Sequence, residues 1–485
     1  MPPLYENKWK IFSLVATSIF MSTLDSSIVN VALPYMMQEL QTDIQTIQWV
    51  VLIYFITISS LLLTFGRLSD IKGRKLIYVL GFTIFVAGSW LCGMARTPQF
   101  LIISRALQGG GASMLMACSP ALIVDVFPVQ ERGKALGMMG AVVAAGLTTG
   151  PVVGGILLEY FSWRFIFYIN IPIGIAAVLG GMFVLKSVQQ AWKREEPMDK
   201  IGSILLIIIL SSLIVFLTQM SKWGIISILS LSFAGLFFLA CIGFVVNETR
   251  SDYPLFDMEL LKIKLFIFPV ISSAILFAAL FVIVFMMPFY LTYPCGFSAS
   301  KTGLIMIVPF LFLLVVSPVS GMLYDKFGSK RLCVTGMSVL TLSLASLMTV
   351  HPSMDVLSIL WRIALAGIGT ALFVPPNNTA IMSCVQSSRR GIASGAVATA
   401  RNIGMVIGVA LAGLIFTTSF STLTNGSTLE NYLPVMEPFF MSSFKQTMLM
   451  GAVLSGFGIG VTFARGKEQG KEQGKEQKIK TKDKE

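Results

Sequence analysis

Long apolar runs separated by short polar segments cover nearly the whole chain. Each run has about 18–25 mostly apolar residues, which is enough for a helix to cross the hydrocarbon core of a bilayer. The pattern predicts an all-α polytopic membrane protein with fourteen transmembrane helices. The runs lie near 11–33, 47–66, 76–95, 100–124, 135–158, 165–185, 201–219, 225–246, 266–290, 302–323, 332–350, 356–376, 392–418 and 445–464.

Composition supports the same class. The 485 residues are 55% hydrophobic and 12% charged, whereas a soluble domain is about 25% charged. The single histidine, His351, falls in a predicted loop, so a histidine-based metal site is excluded. The six cysteines include no CxxC pair and are interpreted as bystanders. We predict neither enzyme activity nor a bound cofactor or metal.

The positive charge is concentrated on one side of the predicted membrane. If the N-terminus is cytoplasmic, 28 of the 36 lysines and arginines fall on inner segments, five on outer segments and three within spans. Positive residues favour the cytoplasmic side. The bias therefore predicts a plasma (inner) membrane protein with both termini cytoplasmic. The net charge of +12 then faces lipid headgroups, and no nucleic-acid partner is expected.

The second half of the chain repeats the first. The loop after the second predicted helix, Gly66–Lys75, recurs after the tenth as Gly321–Arg331. The offset is about 255 residues, and it also relates Arg105 approximately to Arg362. Parallel halves of this kind characterise one large transporter architecture, with the substrate site near mid-membrane between the halves. The predicted units are a six-helix bundle (1–190), two inserted helices with linkers (191–264), a second six-helix bundle (265–465) and a disordered charged tail (466–485).

Asp25 is the only acidic residue between Ile11 and Gln38. A carboxylate within hydrocarbon is costly and usually functional, so Asp25 is predicted to bind a proton or cation. Arg105 lies at a similar predicted depth. The two are expected to face a central cavity and to be linked directly, through Gln108 or through water. An alternative is a static ion pair that only ties the first and fourth helices together.

Further polar residues within apolar runs are candidates for the substrate cavity by the same cost argument. Arg401 falls near mid-membrane and is the candidate contact from the second half. The other members of this set are Asn30, Asn377 and Asn402.

The repeated loop predicts a cytoplasmic gate. Gly66 and Gly73 permit a tight turn and close helix approach, and Asp70 can stabilise a helix N-terminus. Arg74 is predicted to pair with Asp125 and to help hold the cytoplasmic side shut. A plain topology anchor is the alternative. In the second copy, which retains Asp325 and Gly328, Ser329 replaces the arginine, so a weaker latch is expected.

The fifth predicted helix is rich in small residues, mostly three or four apart from Gly133 to Gly154, which predicts one face for close helix packing. Close packing alone is one sufficient explanation. The densest part of this helix contains Gly146, Gly150, Pro151, Gly154 and Gly155.

Taken in order, these motifs resemble the major facilitator superfamily, specifically the fourteen-helix drug:proton antiporter branch typified by EmrB and QacA. The resemblance covers about residues 10–465. It implies the major facilitator fold, with two six-helix bundles plus two inserted helices. It also implies that the fifth-helix motif marks exporters, and that a periplasmic adaptor protein is a potential partner. The motifs that carry it are Leu24–Pro34, Gly66–Lys75, Arg105–Gly111, Gly146–Gly155 and Trp163–Pro172.

These observations predict a proton-coupled exporter of amphipathic, apolar or cationic small molecules that works by alternating access, in a rocker-switch motion. A narrow-specificity metabolite exporter or importer of the same fold is the alternative. A membrane-embedded enzyme would need a catalytic constellation that one loop histidine does not supply, and a channel would not need a duplicated cytoplasmic latch.

Overall fold

The computed structural model describes residues 7–185, 199–224, 226–251, 255, 258–386 and 390–466. Over these residues the regular structure is helical. Residues 186–198, which precede the inserted helices, and residues 467–485, nearly all of the predicted tail, lie outside the described residues. The helices are α1 (Lys8–Glu39), α2 (Ile44–Ile47), α3 (Trp49–Lys72), α4 (Arg74–Gly93), α5 (Pro98–Val126), α6 (Val129–Tyr160), α7 (Phe165–Tyr168), α8 (Asn170–Val184), α9 (Lys200–Trp223), α10 (Ile228–Arg250), α11 (Lys264–Thr292), α12 (Ala299–Met306), α13 (Val308–Leu347), α14 (Val356–Ser383), α15 (Arg390–Leu423) and α16 (Glu437–Ala464).

Thirteen helices in the described chain are long and apolar enough to cross a membrane, and they coincide with the predicted runs. Two runs, 302–323 and 332–350, share one helical stretch of 49 residues, Ala299–Leu347. At 1.5 Å per residue that stretch would be about 74 Å long, more than twice the hydrocarbon core. Gly328 interrupts it with φ 76° and ψ 165°. Division at Gly328 gives fourteen crossings, so the exact count stays a prediction.

The internal repeat is visible in the backbone. Gly73 joins α3 to α4 with φ 97°, and Gly328, 255 positions later, has φ 76°. Both conformations are left-handed and favour glycine. In the same way, α6 packs along α1 while α15 packs along α11. Each half therefore uses the same turn and the same helix pair.

Small residues set the distance within these helix pairs. A Cβ atom on Gly150 would lie 1.9 Å from Ser27 Oγ on α1, and one on Gly408 would lie 2.2 Å from the carbonyl oxygen of Ala278 on α11. The close packing predicted for the fifth helix is therefore present at Gly146, Gly150 and Gly154, which all face α1.

We call α1–α8 the N-terminal bundle and α11–α16 the C-terminal bundle. The inserted helices α9 and α10 pack on each other, and α9 also contacts α3 and α15. We call the end of the molecule that carries Lys8, Gly73 and Arg465 the terminal face. The end that carries Gln41 and Gly296 is the opposite face.

The two bundles are in tight contact at the opposite face. Gly303 on α12 lies against the backbone of Pro151 on α6, where an added Cβ would be 2.2 Å from the carbonyl oxygen. Glu159, one turn beyond Gly155, accepts a hydrogen bond of 2.9 Å from the backbone N–H of Ser300. These contacts close the opposite face between α6 and α12.

The same helices separate toward the terminal face. At about 100° per residue, Gly133, Gly137 and Gly140 lie on the same side of α6 as Pro151 and Gly155. Nothing lies within 4 Å of a Cβ built on any of those three glycines. The predicted single small-residue face is therefore wrong: Gly146, Gly150 and Gly154 face α1, whereas the earlier glycines face open space.

The partner helix shows the same divergence. Gly321 lies five turns after Gly303 on the same side of the α12–α13 column, and no atom lies within 4 Å of its added Cβ. On the other flank α3 and α15 stay together, with Gly413 against Gln48 and Gly395 against Leu63. The passage between the bundles is thus closed at the opposite face and open between α6 and α13 at the terminal face.

Gly303→Ala should force the bundles apart at the opposite face, because its methyl group meets a backbone oxygen that cannot rotate away. We expect Ala299→Cys, at a site that is 4% exposed, to react faster with a membrane-impermeant maleimide in the Gly303→Ala background. Gly321→Ala is the matched control and should leave the labelling rate unchanged. Equal rates in the two glycine variants would contradict this account of the closed face.

Candidate functional site

Asp25 lies near the middle of α1, and its side chain is completely buried. Arg105 Nη1 donates to Oδ2 at 2.5 Å, Gln108 Nε2 donates to Oδ1 at 2.8 Å, and Asn170 Nδ2 donates to Oδ1 at 3.0 Å. Hydrogen bonds to an ionised group are among the stronger ones in proteins. Side chains from α1, α5 and α8 therefore converge on one carboxylate that receives three donors.

Arg105 is equally well surrounded and is 1% exposed. Its Nε donates to the carbonyl oxygen of Val50 at 3.1 Å, and its Nη1 donates to Gln108 Oε1 at 2.6 Å. The guanidinium carbon lies 4.1 Å from the centre of the Tyr54 ring, within the range of a cation–π contact. The predicted link between Asp25 and Arg105 is thus direct, and Gln108 contacts both partners.

The expected orientation of the pair was wrong. In this conformation Asp25 and Arg105 do not line the passage between the bundles, because they are 0% and 1% exposed and their hydrogen-bond partners lie on α3, α5 and α8. Tyr54 covers Arg105, and its neighbour Phe55 packs on Phe281 of α11, with ring centres 5.7 Å apart. Aromatic side chains of α3 therefore lie between the ion pair and the C-terminal bundle.

Sequence reasoning missed two contributors to this site. Asn170 contacts Asp25 directly, and Ser89 Oγ accepts from Gln108 Nε2 at 2.8 Å. Asn170 was detectable, because it is an amide inside an apolar run and lies in the Trp163–Pro172 motif. Ser89 was not, because a serine within a helix can bond to its own backbone, as Ser89 also does to Phe85.

Other residues of the predicted cavity set lie elsewhere. Asn30 is buried on α1, donates to the carbonyl oxygen of Ser26 at 2.7 Å, and has no hydrogen-bond partner for its Oδ1. Arg401 and Asn402 lie on α15, far along the chain from the Asp25 network and without a hydrogen bond to it. Arg401 stands 5.7 Å from the ring centre of Phe277. The set predicted as one cavity is therefore several separate environments.

The predicted gate residues meet at the terminal face. Arg74 forms an ion pair with Asp125, donates to the carbonyl oxygen of Ala121 at 2.6 Å, and lies 3.3 Å from Asp70. The pairing of Arg74 with Asp125 is as predicted. It joins α4 to α5 within the N-terminal bundle, so these contacts do not themselves hold the two bundles together.

The glycines of this loop have different roles. Gly73 supplies the left-handed turn, as expected. No atom lies within 4 Å of a Cβ built on Gly66, so the close helix approach expected there is absent in this conformation. In the second copy Gly328 makes the equivalent turn, and Asp325 lies three residues before it on an exposed surface.

In the second copy Ser329, which replaces the arginine of the first, bonds to an arginine from outside the repeated loop. Arg465, directly after α16, is 2% exposed, and its guanidinium donates to Ser329 Oγ and to Asn377 Oδ1, the latter at 3.0 Å. Asn377 in turn donates to the carbonyl oxygen of Pro269 at 3.0 Å. Asn377 therefore belongs to a terminal-face clamp and does not line the cavity. The repeat offset could not reveal it, because its arginine comes from a different helix.

Arg362, the counterpart of Arg105, has lost the acidic partner. It donates to the carbonyl oxygens of Ser346 and Ser358 at 3.1 and 2.6 Å and to Thr349 Oγ1 at 3.3 Å. This arginine ties α13 to α14 near the opposite face. The carboxylate site is thus a property of the N-terminal bundle.

The sequence profile of the Major Facilitator Superfamily matches residues 15–409 of the chain. Among curated proteins, the riboflavin transporter RibZ of Clostridioides difficile (strain 630) is 33% identical over 417 residues, 86% of this chain and 90% of that protein. The multidrug resistance protein Stp of Mycobacterium tuberculosis (strain ATCC 25618 / H37Rv) is 31% identical over 432 residues, 88% of this chain and 79% of that protein.

The fold is shared with solved transporters. A bacterial homologue of the human lysosomal transporter Spinster, in an inward-facing and unoccupied conformation, superposes with a TM-score of 0.68. The match covers 96% of this chain and 97% of the other at 14% identity. At this identity the likeness shows the common fold alone.

Arg105→Met should strongly destabilise the N-terminal bundle, because it leaves the Asp25 carboxylate buried without its cation. We expect the free energy of unfolding to fall by about 3–5 kcal/mol. The double variant Asp25→Asn/Arg105→Met removes both charges and should recover a large part of that loss. Denaturant unfolding of the detergent-solubilised protein measures both. Arg362→Met, which leaves no acid unpaired, is the control. Equal losses in the single and double variants would contradict a tightly coupled pair.

Proposed function

The chain belongs to the Major Facilitator Superfamily, a family of transporters, and from this premise we propose that it is a proton-coupled exporter of amphipathic small molecules. It works by alternating access, as a rocker switch. Its place is the fourteen-helix drug:proton antiporter branch, in the plasma membrane, with the terminal face in the cytoplasm. The bias of lysine and arginine toward that face supports this orientation.

The observation that carries the proposal is the Asp25 carboxylate and its donors. Arg105, Gln108 and Asn170 all present N–H groups to it. A carboxylate accepts hydrogen bonds only, whereas a protonated carboxyl carries one O–H that must donate. Protonation would remove the negative charge that holds the Arg105 guanidinium, and it would add an O–H that none of these three N–H groups can accept. In the proposed mechanism Arg105 is the group that is then displaced, so proton binding is coupled to a change in packing.

The displaced group has a route to the other bundle. Arg105 bonds to the backbone of α3 at Val50 and stacks on Tyr54, and the next residue, Phe55, packs on α11 at Phe281. When protonation weakens the ion pair, Arg105 is free to shift and α3 can change its contact with α11. Coupling between two sites requires an element with two arrangements whose equilibrium both sites change.

This conformation fits one step of an antiport cycle. The terminal face is open, the opposite face is closed, and Asp25 is packed as an ionised group. In the proposed cycle this is the state that has released its proton to the cytoplasm and takes up substrate there. The loaded carrier then opens at the opposite face, where the substrate leaves and a proton from outside neutralises Asp25.

Such a carrier can have either a broad or a narrow substrate specificity. The relative named for multidrug resistance supports a broad exporter, and the relative named as a riboflavin transporter supports a carrier with a single metabolite. A narrow-specificity metabolite exporter or importer is therefore the second proposal. In either case the carrier is surrounded by membrane lipid. The proposal of a periplasmic adaptor protein as a partner is based only on the resemblance to the fourteen-helix branch.

Asp25→Asn should abolish uphill transport, because the amide keeps the shape of the site but cannot exchange a proton. The amide also leaves Arg105 without its anion, so transport is expressed per amount of folded protein in the vesicles. In everted vesicles with an acidified lumen we expect the wild type to accumulate a dye substrate and to lose it on addition of an uncoupler. The variant should accumulate at least tenfold less.

Asp355→Asn, at an exposed acid on the opposite face, is the control and should transport normally. Normal accumulation by Asp25→Asn would overturn the role given to this carboxylate. Accumulation only when the gradient is reversed would indicate an importer.

A further inference from the structure

Arg401 carries a positive charge at mid-membrane without a partner. It lies 11 residues into α15, about 16 Å from the terminal end of that helix. Its Nε is buried without a hydrogen-bond partner, and its guanidinium carbon lies 5.7 Å from the centre of the Phe277 ring. Within the described residues no carboxylate contacts it. A charge at this depth is costly unless it is paired or faces water.

The chain has no acid to offer at this depth. Within the C-terminal bundle, α11, α12, α14 and α15 contain no aspartate or glutamate. The acids of the other two helices lie at their membrane surfaces, with Asp325 at the terminal-face turn and Glu437 at the first residue of α16. Asp25 is already paired with Arg105. Within the described residues the protein therefore supplies no counter-charge for Arg401.

The contacts of α15 show which way Arg401 faces. Gly408, two turns away on nearly the same side, packs on α11. Gly413 packs on α3, and Ile403 lines a gap with Leu210 and Leu213 of α9. Arg401 lies on the part of the α15 surface between the α11 contacts and the α3 contacts, on the side away from α9. That part borders the passage between the bundles, and Arg401 is partly exposed there.

The next residue carries a further unsatisfied donor. Asn402 is 3% exposed and its Nδ2 has no hydrogen-bond partner. A guanidinium and an amide both donate hydrogen bonds, and the guanidinium matches carboxylate geometry with two parallel bonds. Phe277 adds a flat apolar surface. Unsatisfied donors beside an aromatic ring suit a planar ligand that bears acceptor oxygens.

We propose that Arg401 is the charge-recognition group of the substrate site, and that the substrate is an organic anion with an aromatic body. This inference rests on the proposed export function and specifies its substrate class. The anionic group is a carboxylate, a phenolate or a deprotonated imide that bonds to Arg401 and Asn402, while its ring packs against Phe277. It replaces the expectation of an apolar or cationic substrate, since a cation would meet an uncompensated like charge.

The charge of the substrate also affects the driving force. If one monoanion leaves for each proton that enters, two charge equivalents cross the membrane, whereas a neutral substrate moves one. Export of an anion from a cell with a negative interior is thus favoured by the membrane potential as well as by the proton gradient.

The test compares two dyes with one ring system and opposite charge. Fluorescein is anionic, and rhodamine 123, whose carboxyl group is a methyl ester, is cationic; both have a xanthene core. Binding to the purified full-length protein is measured by fluorescence anisotropy at neutral pH and fixed ionic strength. We expect the wild type to bind fluorescein at least tenfold more tightly than rhodamine 123, a comparison that needs no variant to fold.

Arg401→Gln should weaken fluorescein binding at least tenfold and leave rhodamine 123 binding unchanged or stronger. Arg401→Lys retains the charge but not the two parallel bonds, so it should lose less. Arg362→Gln, at an arginine bonded to backbone carbonyls, is the control and should retain the preference for the anion.

Tighter binding of rhodamine 123 by the wild type, binding of neither dye, or an unchanged preference in Arg401→Gln would each overturn the proposal. If Arg401 instead pairs with Asp25 in another conformation, Arg401→Gln impairs uphill transport of both dyes equally and leaves the binding preference unaltered, which also overturns the proposal. Binding does not require a gradient. Failure of proton coupling in the vesicle assay is therefore a separate result that leaves the charge preference measurable.

Discussion

The ion pair between Asp25 and Arg105 is the interaction on which the N-terminal bundle depends. Neither charge is tolerable alone in a membrane interior, and the two together satisfy each other only because α1, α3, α5 and α8 supply the remaining donors and acceptors. The helices must be close for these contacts to form. The glycines of α6 that face α1 allow these two helices to approach closely. Packing and charge compensation therefore specify one arrangement of this bundle.

Four arginines show how the duplicated halves have diverged. Arg105 is neutralised by a carboxylate, Arg362 is held by backbone carbonyls, and Arg465 is held by a hydroxyl and an amide. Each of these arrangements satisfies the guanidinium and fixes a helix contact. Arg401 is the exception, because no described residue forms a hydrogen bond with its Nε. An unsatisfied polar group in a folded protein needs an explanation, and the proposed anionic substrate supplies one.

Much of this organisation follows from the sequence, because hydrophobic length and charge cost are local properties. The helix positions, the turns at Gly73 and Gly328, and the contacts of Asp25 with Arg105 and of Arg74 with Asp125 were all predicted. Which side of a helix a residue faces depends on its neighbours, and there the predictions failed for Asp25 and Gly66. The contact of Arg465 with Ser329 joins chain segments 136 positions apart, and no sequence pattern links them.

The sealed position of Asp25 changes how proton and substrate communicate. If the carboxylate lined the passage, the two ligands could compete directly for one site. Here α3 separates them, so competition must pass through the position of that helix. In the proposed exchange, an anionic substrate at Arg401 and a proton at Asp25 would favour different packings of α3 against α11 and α15, and binding of either would reduce the affinity for the other. Exchange of substrate for proton across the membrane then requires no atom that binds both. It requires only that α3 cannot make its contacts with both bundles in the same conformation.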